Sequence, residues 1–156
     1  YQRTLVAILR EVAESAAQMT GSTLEWRESR GYDNMVPSPT IAAVCSGHLA
    51  ALGFDDIAPA PDERMGSTDM GDISQILPAL HVYLPIAPEG TPGHSILFRE
   101  ASASPRADEI VVLGAKVLAR TAADLLSVPD LLDRAVAEHQ EMVRVGTVAG
   151  RRGWTA

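Results

Sequence analysis

The chain is organised around a turn-rich loop, Arg64-Met65-Gly66-Ser67-Thr68-Asp69-Met70-Gly71-Asp72. Glycine tolerates positive φ and the close approach of another backbone. Serine, threonine and aspartate hold tight turns by bonding nearby main-chain groups. Such a loop can present N–H groups, hydroxyls and a carboxylate to a ligand. An ordinary surface turn has the same composition, so the residue types alone leave both interpretations open.

The residues after this loop alternate between turn signals and apolar runs. Residues 73–81 read as a short helical turn that Pro78 ends. The run Leu80–Ile86 is apolar and lies between turn signals, which predicts a buried central strand. A loop rich in glycine and proline then carries Gly93-His94-Ser95, and a long helix is predicted to follow it.

Two helices are predicted to cover that strand, over residues 39–52 and 105–126. Each starts with a capping serine, Ser38 or Ser104, followed by proline at the first helical position. Helices packed on a sheet give an α/β fold. A last amphipathic helix is predicted over residues 130–145, followed by a flexible tail over 146–156.

The first residues predict a smaller unit. Thr4–Met19 has the apolar period of a helix, and Gly21 stands just past its end. Ser22–Glu28 alternates between apolar and polar side chains, which is typical of a half-buried edge strand. The polar and proline-rich residues 29–40 mark a boundary.

Composition excludes several classes of protein. The chain has 156 residues and a formal net charge of −7, which argues against nucleic acid or an anionic membrane as a partner. Its single cysteine, Cys45, excludes an internal disulfide framework and fits a reducing cytoplasm. No signal peptide and no apolar run of membrane-spanning length occur. Because the sequence starts at Tyr1 rather than at methionine, a targeting segment or an N-terminal domain could precede it.

The four histidines do not by themselves indicate a metal site, because zinc needs three or four ligands and no His-x-Asp or His-Glu-x-x-His spacing occurs. His48 lies on an apolar helix face, where a core histidine is the usual interpretation. His81 reads as a packing or supporting residue, and His139 as a solvated residue or one that interacts with the helix dipole. Cys45 reads as a small buried hydrophobic residue.

The order of these parts carries a resemblance. The motif Gly66-Ser67-Thr68-Asp69-Met70-Gly71-Asp72-Ile73-Ser74, then Pro78 and His81, then a loop histidine and an alanine-rich helix, resembles the C-terminal part of a metallopeptidase family. That family contains aminoacylases, carboxypeptidase G2-like enzymes and amidohydrolases. The branch that the chain resembles is that of p-aminobenzoyl-glutamate hydrolases and dipeptidase-like amidohydrolases.

The resemblance implies a domain organisation. Residues 1–33 correspond to the second half of an α+β lid domain, which also makes a homodimer contact. Residues 34–145 correspond to the C-terminal portion of a zinc-peptidase-like catalytic domain, with helices packed on a mainly parallel sheet. The missing N-terminal part of that domain supplies most metal ligands and the general base, so the catalytic base is expected outside this chain.

The resemblance also implies site residues. His94 matches the one metal ligand that the family takes from this part of the chain, for a divalent metal, zinc first and manganese or cobalt as alternatives. Ser67, Thr68 and Asp69 match the loop that shapes the pocket for a small amide substrate. Asn34 lies where the chain returns from the lid, and either contacts substrate or forms an Asx-turn. The residue pattern leaves a surface-loop role open for His94.

The interpretation that follows is a fragment of a metal-dependent amidohydrolase or peptidase. It would hydrolyse the amide bond of an N-acyl amino acid or dipeptide-like substrate, and would be inactive alone. Arg64 could hold a substrate carboxylate, although a surface ion pair is the ordinary role. Two alternatives remain: a metal-free binding module of the same fold, and a dimerisation fragment that joins sheet edges through residues 4–28.

Overall fold

The computed structural model describes residues 2–55 and 66–144, and in these ranges the regular secondary structure is almost all helical. Its helices are α1 (Gln2–Thr20), α2 (Pro39–Ala50), α3 (Met70–Ser74), α4 (Ile96–Ser102), α5 (Pro105–Ser127) and α6 (Leu131–Arg144). The chain divides into two compact units, residues 1–31 and 32–156. None of the described helices is long and apolar enough to cross a membrane. Arg64, most of the acidic loop before it and the tail at 146–156 lie outside the described residues.

The first unit consists of α1 and an extended segment. The predicted helix is confirmed, and Gly21 ends it with φ of 67°, where the Ser22 N–H donates to the Ala17 carbonyl at 2.9 Å. The predicted strand over residues 22–28 is wrong, because no strand pairing occurs there. A strand needs main-chain hydrogen bonds to a partner strand, and the described residues supply no such partner to this segment.

The second unit is built on α2, α5 and α6, which pack against one another, with α4 against α5. Both predicted N-caps are confirmed: the Ser38 hydroxyl accepts from the Ile41 N–H, and the Ser104 hydroxyl accepts from the Ala107 N–H at 3.2 Å. Proline occupies the first turn of α2 and of α5, where its missing N–H costs nothing.

The core of this unit lies between α2 and α5. Cys45, Leu49 and Val117 are buried there, so the interpretation of Cys45 as a small buried hydrophobic residue is confirmed. The half-buried residues that pack against them are Leu52, Phe54, Leu80, Val82 and Leu84. The last three come from one extended segment, which therefore lies against both helices, as predicted for residues 80–86.

That segment is not a regular strand, however, and the predicted buried central strand is not shown. Leu80, Val82 and Leu84 are half-buried, whereas His81, Tyr83 and Pro85 between them are exposed. This alternation is that of a strand with one covered face. The sheet itself is reduced to one isolated parallel bridge among the described residues, between Pro37 and Ala79. A mainly parallel sheet is therefore not shown.

Two short helices differ from the sequence-based prediction. Helix α3 begins at Met70 and ends at Ser74, earlier than the turn predicted over residues 73–81. Helix α4 was not predicted, although the Ser95 hydroxyl caps it by accepting from the Phe98 N–H at 3.1 Å. The available signal was Ser95 itself, because serine is a preferred N-cap residue.

Candidate functional site

The loop over residues 66–69 leads directly into α3 and is held by short-range hydrogen bonds. The Thr68 carbonyl accepts from the Gly71 N–H at 3.1 Å, and the Asp69 carbonyl accepts from the Asp72 N–H at 3.0 Å. The Thr68 hydroxyl accepts from the Met70 N–H at 3.3 Å. These bonds fix the backbone of the loop as a turn.

The side chains of Ser67 and Asp69 take no part in that turn network. Both residues are exposed, and Asp69 occupies the N-cap position of α3 without capping it. Within the described ranges neither side chain has a hydrogen-bond partner. The loop thus presents one free hydroxyl and one free carboxylate at the surface of the second unit.

Asn34 is brought next to this loop by hydrogen bonds to α3 and the residue that follows it. The Asp33 N–H donates to the Asp72 carboxylate at 2.8 Å, and the Gln75 side-chain amide donates to the Asn34 carbonyl at 2.7 Å. Asn34 itself is exposed. Two of the predicted substrate-binding segments, Asn34 and the 66–69 loop, therefore belong to one local structure.

Gly71 is the point where the two segments touch. A Cβ at this position would lie 1.8 Å from the Asp33 carbonyl oxygen and 2.9 Å from its carbonyl carbon. No side chain fits at these distances, so glycine is required by the close approach of the two backbones. At the other glycine of the motif, Gly66, no described residue lies within 4 Å of an added Cβ.

Ser74 and His139 lie beneath this contact. Ser74 is fully buried; its hydroxyl donates to the Gly71 carbonyl at 2.7 Å and accepts from the Val36 N–H at 2.9 Å. The Ser74 carbonyl accepts a hydrogen bond from the His139 Nε2 at 2.9 Å. Because a carbonyl can only accept, the His139 Nε2 carries a proton.

The prediction that His139 is solvated is wrong, since only 8% of the residue is exposed. The buried residues of α6 are Leu131, Ala135 and His139, which follow one another at four-residue intervals on one face. The apolar face of this helix therefore included the histidine, and that spacing was visible in the sequence.

His94 occupies a turn directly before α4. It is exposed, and the neighbouring Ser95 hydroxyl donates to the Pro92 carbonyl at 2.7 Å, which holds the turn. In the described part of the chain the His94 imidazole bonds to no other side chain. Unlike Asn34 and the 66–69 loop, it shares no hydrogen bond with the rest of the candidate site.

The remaining histidines have other partners. The His48 Nε2 lies 2.8 Å from the Asp124 carboxylate and links α2 to α5, as expected for a histidine on a packed helix face. The His81 ring stacks on Tyr83 with centroids 4.8 Å apart. No group of three metal-binding side chains occurs among the described residues. An exposed imidazole with free nitrogens suits zinc, so His94 fits as one ligand of a set.

Two mammalian proteins are similar to the chain. One, named Xaa-Arg dipeptidase, from Mus musculus, is 31% identical over 122 residues. The other, of the same name, from Homo sapiens, is 30% identical over 125 residues. Each match covers 76% of this chain, and the chain spans 28% of the length of each relative. No protein-family model matches.

The match includes two parts of the candidate site. A continuous match over 76% of 156 residues leaves out fewer than 40 of them. It therefore contains both the 66–69 loop and His94, wherever it begins. Over most of its length the chain is thus similar, at 30–31% identity, to two proteins named as dipeptidases, in loose agreement with the broad family resemblance of its motif. The specific branch of p-aminobenzoyl-glutamate hydrolases is not distinguished.

The residues selected from the sequence are exposed or half-buried, and their role in binding substrate stays a prediction. Ser67, Thr68 and Asp69 were selected from the motif, and Asn34 from its place where the chain returns from the lid. Ser74, Gln75 and His139 were missed, since their roles depend on contacts between residues far apart in the chain, at separations of 38, 41 and 65.

Proposed function

We propose that this chain forms part of the catalytic domain of a metal-dependent dipeptidase or related amidohydrolase. The observation that carries the proposal is the similarity to two dipeptidases over 76% of the chain, which includes a loop with a free hydroxyl and a free carboxylate. The relatives' name describes dipeptides that end in arginine, and we infer that such dipeptides are the first substrates to test.

The residues of this chain would bind and orient the substrate. Ser67 and Thr68 supply hydroxyls, and Asn34 supplies an exposed side-chain amide from the adjoining segment. The Asp69 carboxylate is exposed and unused by α3, so it is available to a cationic side chain such as that of arginine. Charge-assisted hydrogen bonds of this kind are about twice as strong as neutral ones.

His94 would be one of the metal ligands, through a neutral imidazole nitrogen. A bound zinc ion, or manganese or cobalt in its place, supplies polarisation of the amide carbonyl and a water of lowered pKa. The general base and the other ligands would come from the part of the protein that the relatives have and this sequence does not contain. We therefore propose that the 156-residue chain alone is inactive.

The exposed face of residues 81–85 supports the same proposal. Tyr83 is 63% exposed in a segment whose opposite face is packed on the core. We propose that the N-terminal part of the catalytic domain covers this face and completes the sheet. A metal-free binding module of the same fold is the competing function, and metal analysis separates the two.

Helix α1 supports a second proposal, a homodimer contact made by residues 1–33. Its apolar stripe faces solvent, with Ile8, Leu9 and Val12 each more than half exposed. A contiguous apolar surface of this kind is typical of a protein interface, and we propose a second copy of the chain as its occupant.

The single cysteine supports a cytoplasmic location.

The experiment is hydrolysis of alanyl-arginine by the full protein, followed by chromatography of the released arginine. We expect activity that a chelator removes and that zinc, manganese or cobalt restores. Asp69→Asn should raise the KM for alanyl-arginine about tenfold or more, while the exposed control Asp108→Asn leaves KM unchanged. Absence of hydrolysis of alanyl-arginine, other dipeptides and N-acyl amino acids would reject the function.

A further inference from the structure

The buried network below the candidate site has a geometry that the proposed chemistry does not explain. Ser74 has no exposed surface, yet it makes three hydrogen bonds to three different segments. Its partners are Gly71 in its own helix, Val36 in the segment before α2, and His139 in α6. When all hydrogen bonds of a fully buried polar residue are formed, the residue fixes the structure around it in one arrangement.

The network joins the two parts of the candidate site. The Gly71 carbonyl belongs to the turn that presents Asp69, and the Val36 N–H lies two residues after Asn34. Ser74 therefore ties the 66–69 loop and the Asn34 segment to one point. The Asp33–Asp72 and Asn34–Gln75 bonds, at 2.8 and 2.7 Å, reinforce the same contact.

Helix α6 anchors that point to the core of the unit. His139 holds the Ser74 carbonyl, and the preceding residue, Glu138, accepts from the Thr40 N–H at 3.1 Å at the start of α2. The segment over residues 33–40 is thus held at its start by α3, through Asp72, and at its end by α6, through Glu138. His139 is the one buried residue of α6 that reaches α3 by a hydrogen bond, within the described residues.

We propose that His139 is a positioning residue for substrate binding: through Ser74 it holds Asn34 and the 66–69 loop in the register needed to bind one substrate. This inference rests on the proposed function. His139 touches no substrate. Removing its Nε2 donor leaves the Ser74 carbonyl buried and unpaired, and the turn that carries Asp69 then shifts relative to Asn34.

The test compares three variants of the full protein with alanyl-arginine as substrate. His139→Leu removes the donor at similar volume, and we expect KM to rise about tenfold while kcat and bound metal stay near wild type. His139→Gln places an amide donor where Nε2 lies, so it should restore most of the wild-type KM. His48→Leu is the matched control, since it breaks the α2–α5 pair with Asp124 and leaves α3 untouched.

A second measurement does not depend on activity. Hydrogen exchange followed by mass spectrometry should show faster exchange of residues 33–36 and 66–74 in His139→Leu, and not in His48→Leu. If the wild-type protein hydrolyses no tested amide, the proposed function fails and this comparison still tests the network. Equal exchange in the two variants, or equal KM values when the protein is active, would overturn the positioning role.

Discussion

Gly71→Ala gives the sharpest test of the structure around the candidate site. The added Cβ would lie 1.8 Å from the Asp33 carbonyl oxygen. Cβ atoms do not approach other heavy atoms within 3.0 Å, so the two backbones must separate by 1.2 Å or more. That movement stretches the Asp33–Asp72 bond from 2.8 Å and the Val36–Ser74 bond from 2.9 Å beyond hydrogen-bonding distance.

The expected loss of stability follows from these two effects. Overpacking costs about 1–3 kcal/mol, and an unpaired buried donor such as the Val36 N–H costs about 1–3 kcal/mol more. We expect Gly71→Ala to lower the free energy of unfolding by ~2–6 kcal/mol, a large share of the ~5–15 kcal/mol that holds a typical protein folded.

The assay is urea unfolding followed by circular dichroism, with Gly66→Ala as the control from the same motif. No described residue lies within 4 Å of a Cβ added at Gly66, so its substitution should change the free energy of unfolding by less than ~0.5 kcal/mol. Equal midpoints for the two variants would refute the backbone contact between Gly71 and Asp33.

The same unfolding assay checks two further features. Leu49→Ala should lower the free energy of unfolding by about 2–5 kcal/mol, because it opens a cavity in the core between α2 and α5. Leu126 is 85% exposed, so Leu126→Ala should lower it by less than ~0.5 kcal/mol. Similar losses in the two variants would contradict the core assignment. Ser104→Ala should cost about 1 kcal/mol through loss of the α5 cap, whereas Ser102→Ala removes only a bond to a carbonyl in its own helix and should be nearly neutral; the reverse order would contradict the cap.

The four longer helices, α1, α2, α5 and α6, could be predicted because their signals are local. Apolar periodicity, the capping serines at 38 and 104 and the prolines after them lie within a few residues of the structure that they specify. The error for His139 was one of interpretation, since its place on the Leu131–Ala135 face followed from the same periodicity.

The strands and the buried network could not be predicted in the same way. Residues 80–85 have the alternating burial of a strand, but pairing needs a partner strand that the described residues do not supply. The contact at Gly71 joins residues far apart in the chain, so the motif indicated a tight approach without indicating Asp33 as the neighbour.

The proposed role of His94 as a metal ligand is tested by metal analysis of the full protein carrying His94→Ala. His94 is exposed on its turn, so the substitution should leave folding intact. We expect bound metal to fall far below the wild-type content and hydrolysis of alanyl-arginine to be lost, while His48→Ala keeps its metal. Wild-type metal content and retained activity in His94→Ala would contradict it.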